Sequence, residues 1–120
     1  MSNVSIATQP VDLRDRTLDF AKKVLRLSKR LPNSTLSRPI VIQLVRSSSS
    51  VGANFVEAKN ASSKKDFRNK VFICKKEASE TLYWLKLCEE FTDDPELYNL
   101  QKECQEIILI LQRIVSPLNH

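Results

Sequence analysis

Residues 46–58 read R-S-S-S-S-V-G-A-N-F-V-E-A and carry the only glycine of a 120-residue chain. Gly inside a helix costs about 1 kcal/mol relative to Ala, and Ser is a middling helix former, so a helix through this stretch needs close packing to compensate. The flanks argue for that helix. From Ile40, the positions Leu44, Ser47 or Ser48, Val51, Phe55 and Ala58 recur at steps of three and four, which keeps one face inward across the serines. The spacing predicts a helix capped by Ser37, with Pro39 in its first turn, running to about Asn60 and carrying Asn54 and Glu57 toward the helix that follows.

Working outward, an earlier helix starts at Asp12, with Asp15 as a weak capping-box partner. It sets Leu13, Thr17, Phe20, Ala21, Val24, Leu27 and Leu31 on one face before Pro32 and Asn33 stop it. A third helix opens on Ser63 with Asp66 three residues on. Its stripe runs through Phe67, Val71, Cys74, Ala78, Thr81 or Leu82, Leu85 and Cys88, and is widened by Phe72, Ile73, Tyr83, Trp84 and Leu87. Asp94 as N-cap and Pro95 at the first position begin a fourth helix, with Leu97, Leu100, Cys104, Ile107 or Ile108, Leu111 and Ile114 at core spacing until Ser116 and Pro117. Apolar residues at 107–111 point all round this helix. Trp84, Ile108, Leu109 and Ile110 are accordingly expected at a subunit interface.

Four amphipathic helices joined by short turns predict an all-α fold, an antiparallel up-down-up-down four-helix bundle over residues 12–116. A flexible N-terminal arm (1–11) and a C-terminal tail (117–120) flank it. The glycine shortage argues against β-hairpins and excludes a glycine-rich phosphate loop. Residues 1–10 lack the basic and apolar regions of a secretory signal, and no apolar run approaches the roughly 18 residues of a membrane span, so a cytoplasmic, non-membrane protein is expected. Cys74, Cys88 and Cys104 form no C-x-x-C pair and read as small core residues. The net charge of +5 divides unevenly: 16 Lys and Arg against 5 Asp and Glu through Lys76, or +11, then 3 against 9, or −6.

The only histidine is His120, at the terminus, which removes His-based triads and Glu-x-x-His metal motifs. Glu77, Glu80 and Glu57 are the one carboxylate set suited to a metal. They are expected instead to accept hydrogen bonds from Asn54, Thr81, Lys76 or Arg46 and to fix how the second and third helices meet. No catalytic residue, metal or cofactor is expected, and the chain does not read as an enzyme. The sharper chemistry is cationic. Lys22, Arg26, Lys29 and Arg30 share the outer face of the first helix, and Lys64, Lys65, Arg68, Lys75 and Lys76 do much the same on the third. Such arrays neutralise successive phosphates of RNA or DNA and release counterions. Tyr83 and Trp84 are of a kind that can stack on bases, but their helical spacing beside Leu82 and Leu85 favours core or interface. The alternative is a helical scaffold that binds a protein through Trp84 and the apolar end of the fourth helix.

Residues 13–32, 43–58, 63–67 (S-K-K-D-F) and 76–85 (K-E-A-S-E-T-L-Y-W-L) resemble the bacterial four-helix bundle proteins associated with intervening sequences in 23S ribosomal RNA genes. The resemblance implies a homopentamer with a central channel. Proteins of similar fold serve as accessory factors of diversity-generating retroelements, where a basic pentamer contacts nucleic acid and a reverse transcriptase. It supplies no catalytic residues. Its motif residues Arg46, Asn54, Glu57, Lys76, Glu77 and Glu80 are present here, and the serine run departs from a pattern that often holds a Gly within it.

Overall fold

The computed structural model describes residues 12–117. The arm expected over 1–11, and residues 118–120 with His120, lie outside them. Four helices follow in order: α1 (Leu13–Ser28), α2 (Ser37–Lys59), α3 (Lys64–Leu87) and α4 (Pro95–Val115), with a short 3-10 turn at Cys88–Glu90 before the last connection. They form an antiparallel up-down-up-down bundle. Packing is most extensive between α2 and α3, then between α3 and α4 and between α1 and α2, and thinnest where α1 meets α4.

The caps explain most boundaries. The carboxylate of Asp12 accepts from the backbone N–H of Arg14, the hydroxyl of Ser63 from that of Asp66, and the carboxylate of Asp94 from that of Glu96 beside Pro95. The start of α2 differs from expectation. Ser37 is not the N-cap but the third residue of a capping box: Ser34 Oγ accepts from the N–H of Ser37, and Ser37 Oγ accepts from the N–H of Ser34. The pairing satisfies two N–H groups at once, which a lone Ser37 cap would not. α1 also stops sooner than its apolar spacing suggests. Pro32 disfavours helical geometry at Leu31, so the chain leaves through tight turns from Arg30 and Leu31 to the carbonyls of Leu27 and Ser28, while Leu31 stays buried. α3 likewise ends before Cys88, which is buried within the 3-10 turn.

The core contains Phe20, Val24 and Leu27 from α1, Leu44, Val51 and Phe55 from α2, Val71, Cys74 and Leu85 from α3, and Leu97, Leu100, Ile107 and Leu111 from α4. Each such aliphatic or aromatic side chain contributes about 1.5–3 kcal/mol on burial. The three cysteines are free and buried, and burial pushes their thiols up to about 12 (Cys74), 11 (Cys88) and 12 (Cys104). Their thiolate forms are therefore scarce at neutral pH.

The serine-rich stretch is helical throughout and lets α2 come close to both neighbours. Ser47 and Ser48 are buried, with hydroxyls bonded back to the carbonyls of Leu44 and Val45. Ser47 Oγ also accepts from Thr81 Oγ1 of α3 at 2.8 Å. On the other side, a β-carbon placed on Gly52 would lie 2.9 Å from Thr17 Oγ1 and 3.3 Å from Thr17 Cβ. Thr17 Oγ1 donates to the carbonyl of Leu13, so it is not free to swing aside. Gly52→Ala should therefore gain about 1 kcal/mol of helix propensity and lose about 1–3 kcal/mol to overpacking, a net destabilisation of about 1 kcal/mol. With Thr17→Ala in place, the added methyl occupies vacated space, and urea unfolding of the four-member cycle should give a favourable coupling of about 1 kcal/mol. Strict additivity would contradict the close approach.

Candidate nucleic-acid interface

The cations fall into two groups, those that join helices and those that face solvent. Arg16, which the sequence spacing did not single out, crosses from α1 to α4. Its Nε and Nη2 donate to both oxygens of Glu103 at 2.7 and 2.8 Å, and Nη2 also reaches Glu106 at 2.9 Å. The half-buried pairing raises the Arg16 pKa further above its ordinary value, first through the hydrogen bond to Glu103. Arg46 crosses from α2 to α3. It donates to Gln43 on its own helix, to Glu77 at 3.2 Å and to Glu80. Trp84 Nε1 donates to the same Glu80 carboxylate at 2.9 Å, and these two partners, Trp84 first, hold Glu80 below its usual pKa.

The carboxylate set Glu57, Glu77 and Glu80 is not assembled. Glu57 lies farther along α2 and pairs with Lys70 at 3.2 Å. Asn54 donates to the carbonyl of Ser50 in its own helix, and Thr81 turns to Ser47 and to the carbonyl of Glu77. Thus Arg46 alone of the four expected donors reaches the glutamates, because its guanidinium spans the gap that the shorter Asn54 and Thr81 side chains do not. Lys76 is exposed and forms no ion pair among the described residues. No group of three His, Cys, Asp or Glu suited to a metal occurs among them.

Of the cations expected on the first helix, Lys22 and Arg26 of α1 and Lys29 just past its end are exposed and form no ion pair among the described residues, whereas Arg30, in the turn beyond, pairs with Asp94 at 2.8 Å and holds that carboxyl below its usual range. Of the α3 cations, Lys64 and Lys65 are exposed and Lys75 half-buried, all three without an ion pair among the described residues. Arg68 is half-buried. One of its nitrogens donates to the carbonyl of Val115, the guanidinium lies over the Phe72 ring at 5.5 Å, and its Nε is buried with no hydrogen-bond partner among the described residues. Arg68 therefore holds the C-terminus of α4 as well as contributing charge.

The residues expected at a subunit interface keep part of their surface outside the bundle. Trp84, Ile108 and Ile110 are half-buried and pack on the core, and Leu109 alone of the four is exposed. The larger apolar opening is elsewhere. Leu18, Ala21 and Leu25 of α1, with Gly52, Ala53 and Val56 of α2, line a groove of about 490 Å³. Arg16 and Arg30 cross the α1/α4 seam, Arg46 and Lys70 the α2/α3 seam, and Gln101 and Arg68 the α3/α4 seam. The α1/α2 seam has no such polar crossing among the described residues. Leu18, Leu25 and Val56 escaped the sequence reading because they sit beside the core stripes rather than on them.

Residues 10–113 match the family described as 23S rRNA-intervening sequence protein. No curated protein matches the chain. Among solved structures, a protein with unknown function from the S23 ribosomal protein family of Bacteroides thetaiotaomicron shares 36% identity and superposes with a TM-score of 0.78. The match covers 88% of this chain and 99% of that one. No described helix is long and apolar enough to cross a membrane.

The Glu80 shift has a pH consequence. A carboxylate whose folded pKa lies below its ordinary value near 4.5 contributes stability that is complete above that value and is lost as pH falls through the folded pKa. Glu80→Gln should therefore lower stability at pH 7 and lose less of what remains between about pH 5 and pH 3 than the parent protein. Parallel acid limbs in urea titrations of the two proteins would contradict the role assigned to this contact.

Proposed function

The chain belongs to the 23S rRNA-intervening sequence protein family, and from that membership we propose that it is a non-enzymatic accessory protein that binds the backbone of RNA or DNA through basic helix faces of an oligomer. The observation that carries the reading is the set of cations without an ion pair among the described residues: Lys22 and Arg26 on α1, Lys29 at its end, and Lys64, Lys65, Lys75 and Lys76 on α3. Many carboxylates of the bundle, Glu77, Glu80, Glu103 and Glu106 among them, are already held by Arg16 and Arg46. A phosphate chain meets these cations outside any ion pair among the described residues, and counterion release supplies the driving force. Assembly as a homopentamer, proposed from the family resemblance, multiplies the formal charge of +5 per chain and strengthens the field around the whole particle.

The α1/α2 groove favours a second reading, a helical scaffold that seats an apolar helix of a protein partner there, a reverse transcriptase or another polypeptide. One experiment separates the two. If four lysines of a basic face each neutralise a phosphate, raising salt from about 50 to about 200 mM should weaken binding of mixed-sequence RNA or DNA roughly 10²-fold. Lys64→Glu with Lys65→Glu should weaken it at low salt, and the uncharged Leu18→Ser in the groove should not. No detectable binding at about 50 mM salt would overturn the nucleic-acid reading and leave the scaffold.

A further inference from the structure

The acids of α3 and α4 are drawn to opposite sides of the bundle. Glu77 and Glu80 turn toward α2 to meet Arg46, and Glu103 and Glu106 turn toward α1 to meet Arg16. The outer face between α3 and α4 is thereby relieved of these four carboxylates, while Glu89, which accepts from Gln101, remains at the end within the 3-10 turn. Three antiparallel contacts fix the register of that face: Cys104 Sγ donates to the carbonyl of Ala78, Gln101 to that of Leu85, and Arg68 to that of Val115. Helical periodicity then places Lys75 and Lys86 of α3 on it, beside Lys102 of α4, and none of the three has an ion pair among the described residues.

Helical periodicity directs three exposed aromatic residues toward the same face. Phe72 is 45% exposed, Tyr83 61% and Tyr98 42%. Two of them are held in place. Phe72 has the Arg68 guanidinium against one side, and Tyr83 stands edge-on to Trp84 with ring centroids 5.0 Å apart. Exposed rings, two of them braced by a neighbouring side chain, alternating with cations that form no ion pair among the described residues, suit a ligand that is both polyanionic and flat-faced. A duplex hides the faces of its bases in its own stack, and a single strand offers them.

We propose that the outer α3/α4 face is a binding platform for single-stranded nucleic acid, in which bases stack on Phe72, Tyr83 and Tyr98 while Lys75, Lys86 and Lys102 hold the phosphates. The inference rests on the nucleic-acid reading above and narrows its ligand to unpaired strands. Phe72 and Tyr83 are eleven residues apart on one helix, about 16 Å at a rise near 1.5 Å per residue. At about 3.4 Å per stacked nucleotide this distance accommodates four to five nucleotides.

The test uses the full chain and labelled strands of about 20 nucleotides, uridine or thymidine homopolymers, beside a mixed-sequence duplex of equal length. Tyr83→Ala with Tyr98→Ala should lower single-strand affinity at least about tenfold, and duplex affinity less than about twofold. Tyr83→Phe with Tyr98→Phe should restore the single-strand value, and strand binding should change the emission of Trp84, the only tryptophan, beside Tyr83. Retained single-strand affinity in the alanine variant, alongside loss in Lys75→Glu with Lys86→Glu, would overturn the stacking platform and leave backbone binding standing. Failure of every nucleic acid to bind the parent protein would overturn both. A fall in assembly mass in the alanine variant would identify the face as a subunit contact and also overturn the platform.

Discussion

The bundle depends on how closely α2 approaches its two neighbours. Gly52 meets Thr17 of α1 where a methyl group would collide, and Ser47 meets Thr81 of α3 through a buried hydrogen bond. Small side chains at these points replace a wider apolar layer. Serine is tolerated there because each hydroxyl of residues 47–50 bonds a carbonyl one turn back along α2, leaving no buried donor unsatisfied. The propensity lost at Gly52 and the serines is offset by the closeness they permit.

Narrow seams leave long polar side chains to cross on the outside, and there the arginines sort the charge. Arg16 binds Glu103 and Glu106 at the edge of α1 and α4, while Arg46 binds Glu77 and Glu80 at the edge of α2 and α3. Exposed ion pairs add little stability, and these are partly exposed, so their larger effect is positional. They draw carboxylates away from surfaces where lysines remain.

Much of this was legible in the residues. The four helices and the caps at Asp12, Ser63 and Asp94 follow from local spacing, and each appears where that spacing puts it. The start of α2 was misread because two serines three apart share the cap, and only geometry shows that Ser34 is the outer one. Arg16 was not legible at all. Its partners lie 87 and 90 residues downstream, and no helical period links them. The same holds for the α1/α2 groove, which requires knowing which flanks of two helices lie side by side. The aromatic set on α3 was visible as surplus apolar surface, but its exposure depends on how α4 lies beside it.

On the proposed function, cations drawn clear of carboxylates face a nucleic-acid strand. Sedimentation velocity of the protein mixed with a labelled single strand at about 50 mM salt tests it most directly, because it reads mass and binding together. The label should sediment with the protein as one particle heavier than the protein alone, and should return to its free rate when salt is raised to about 300 mM. A label that sediments as free strand at low salt, beside protein of unchanged mass, would contradict the account.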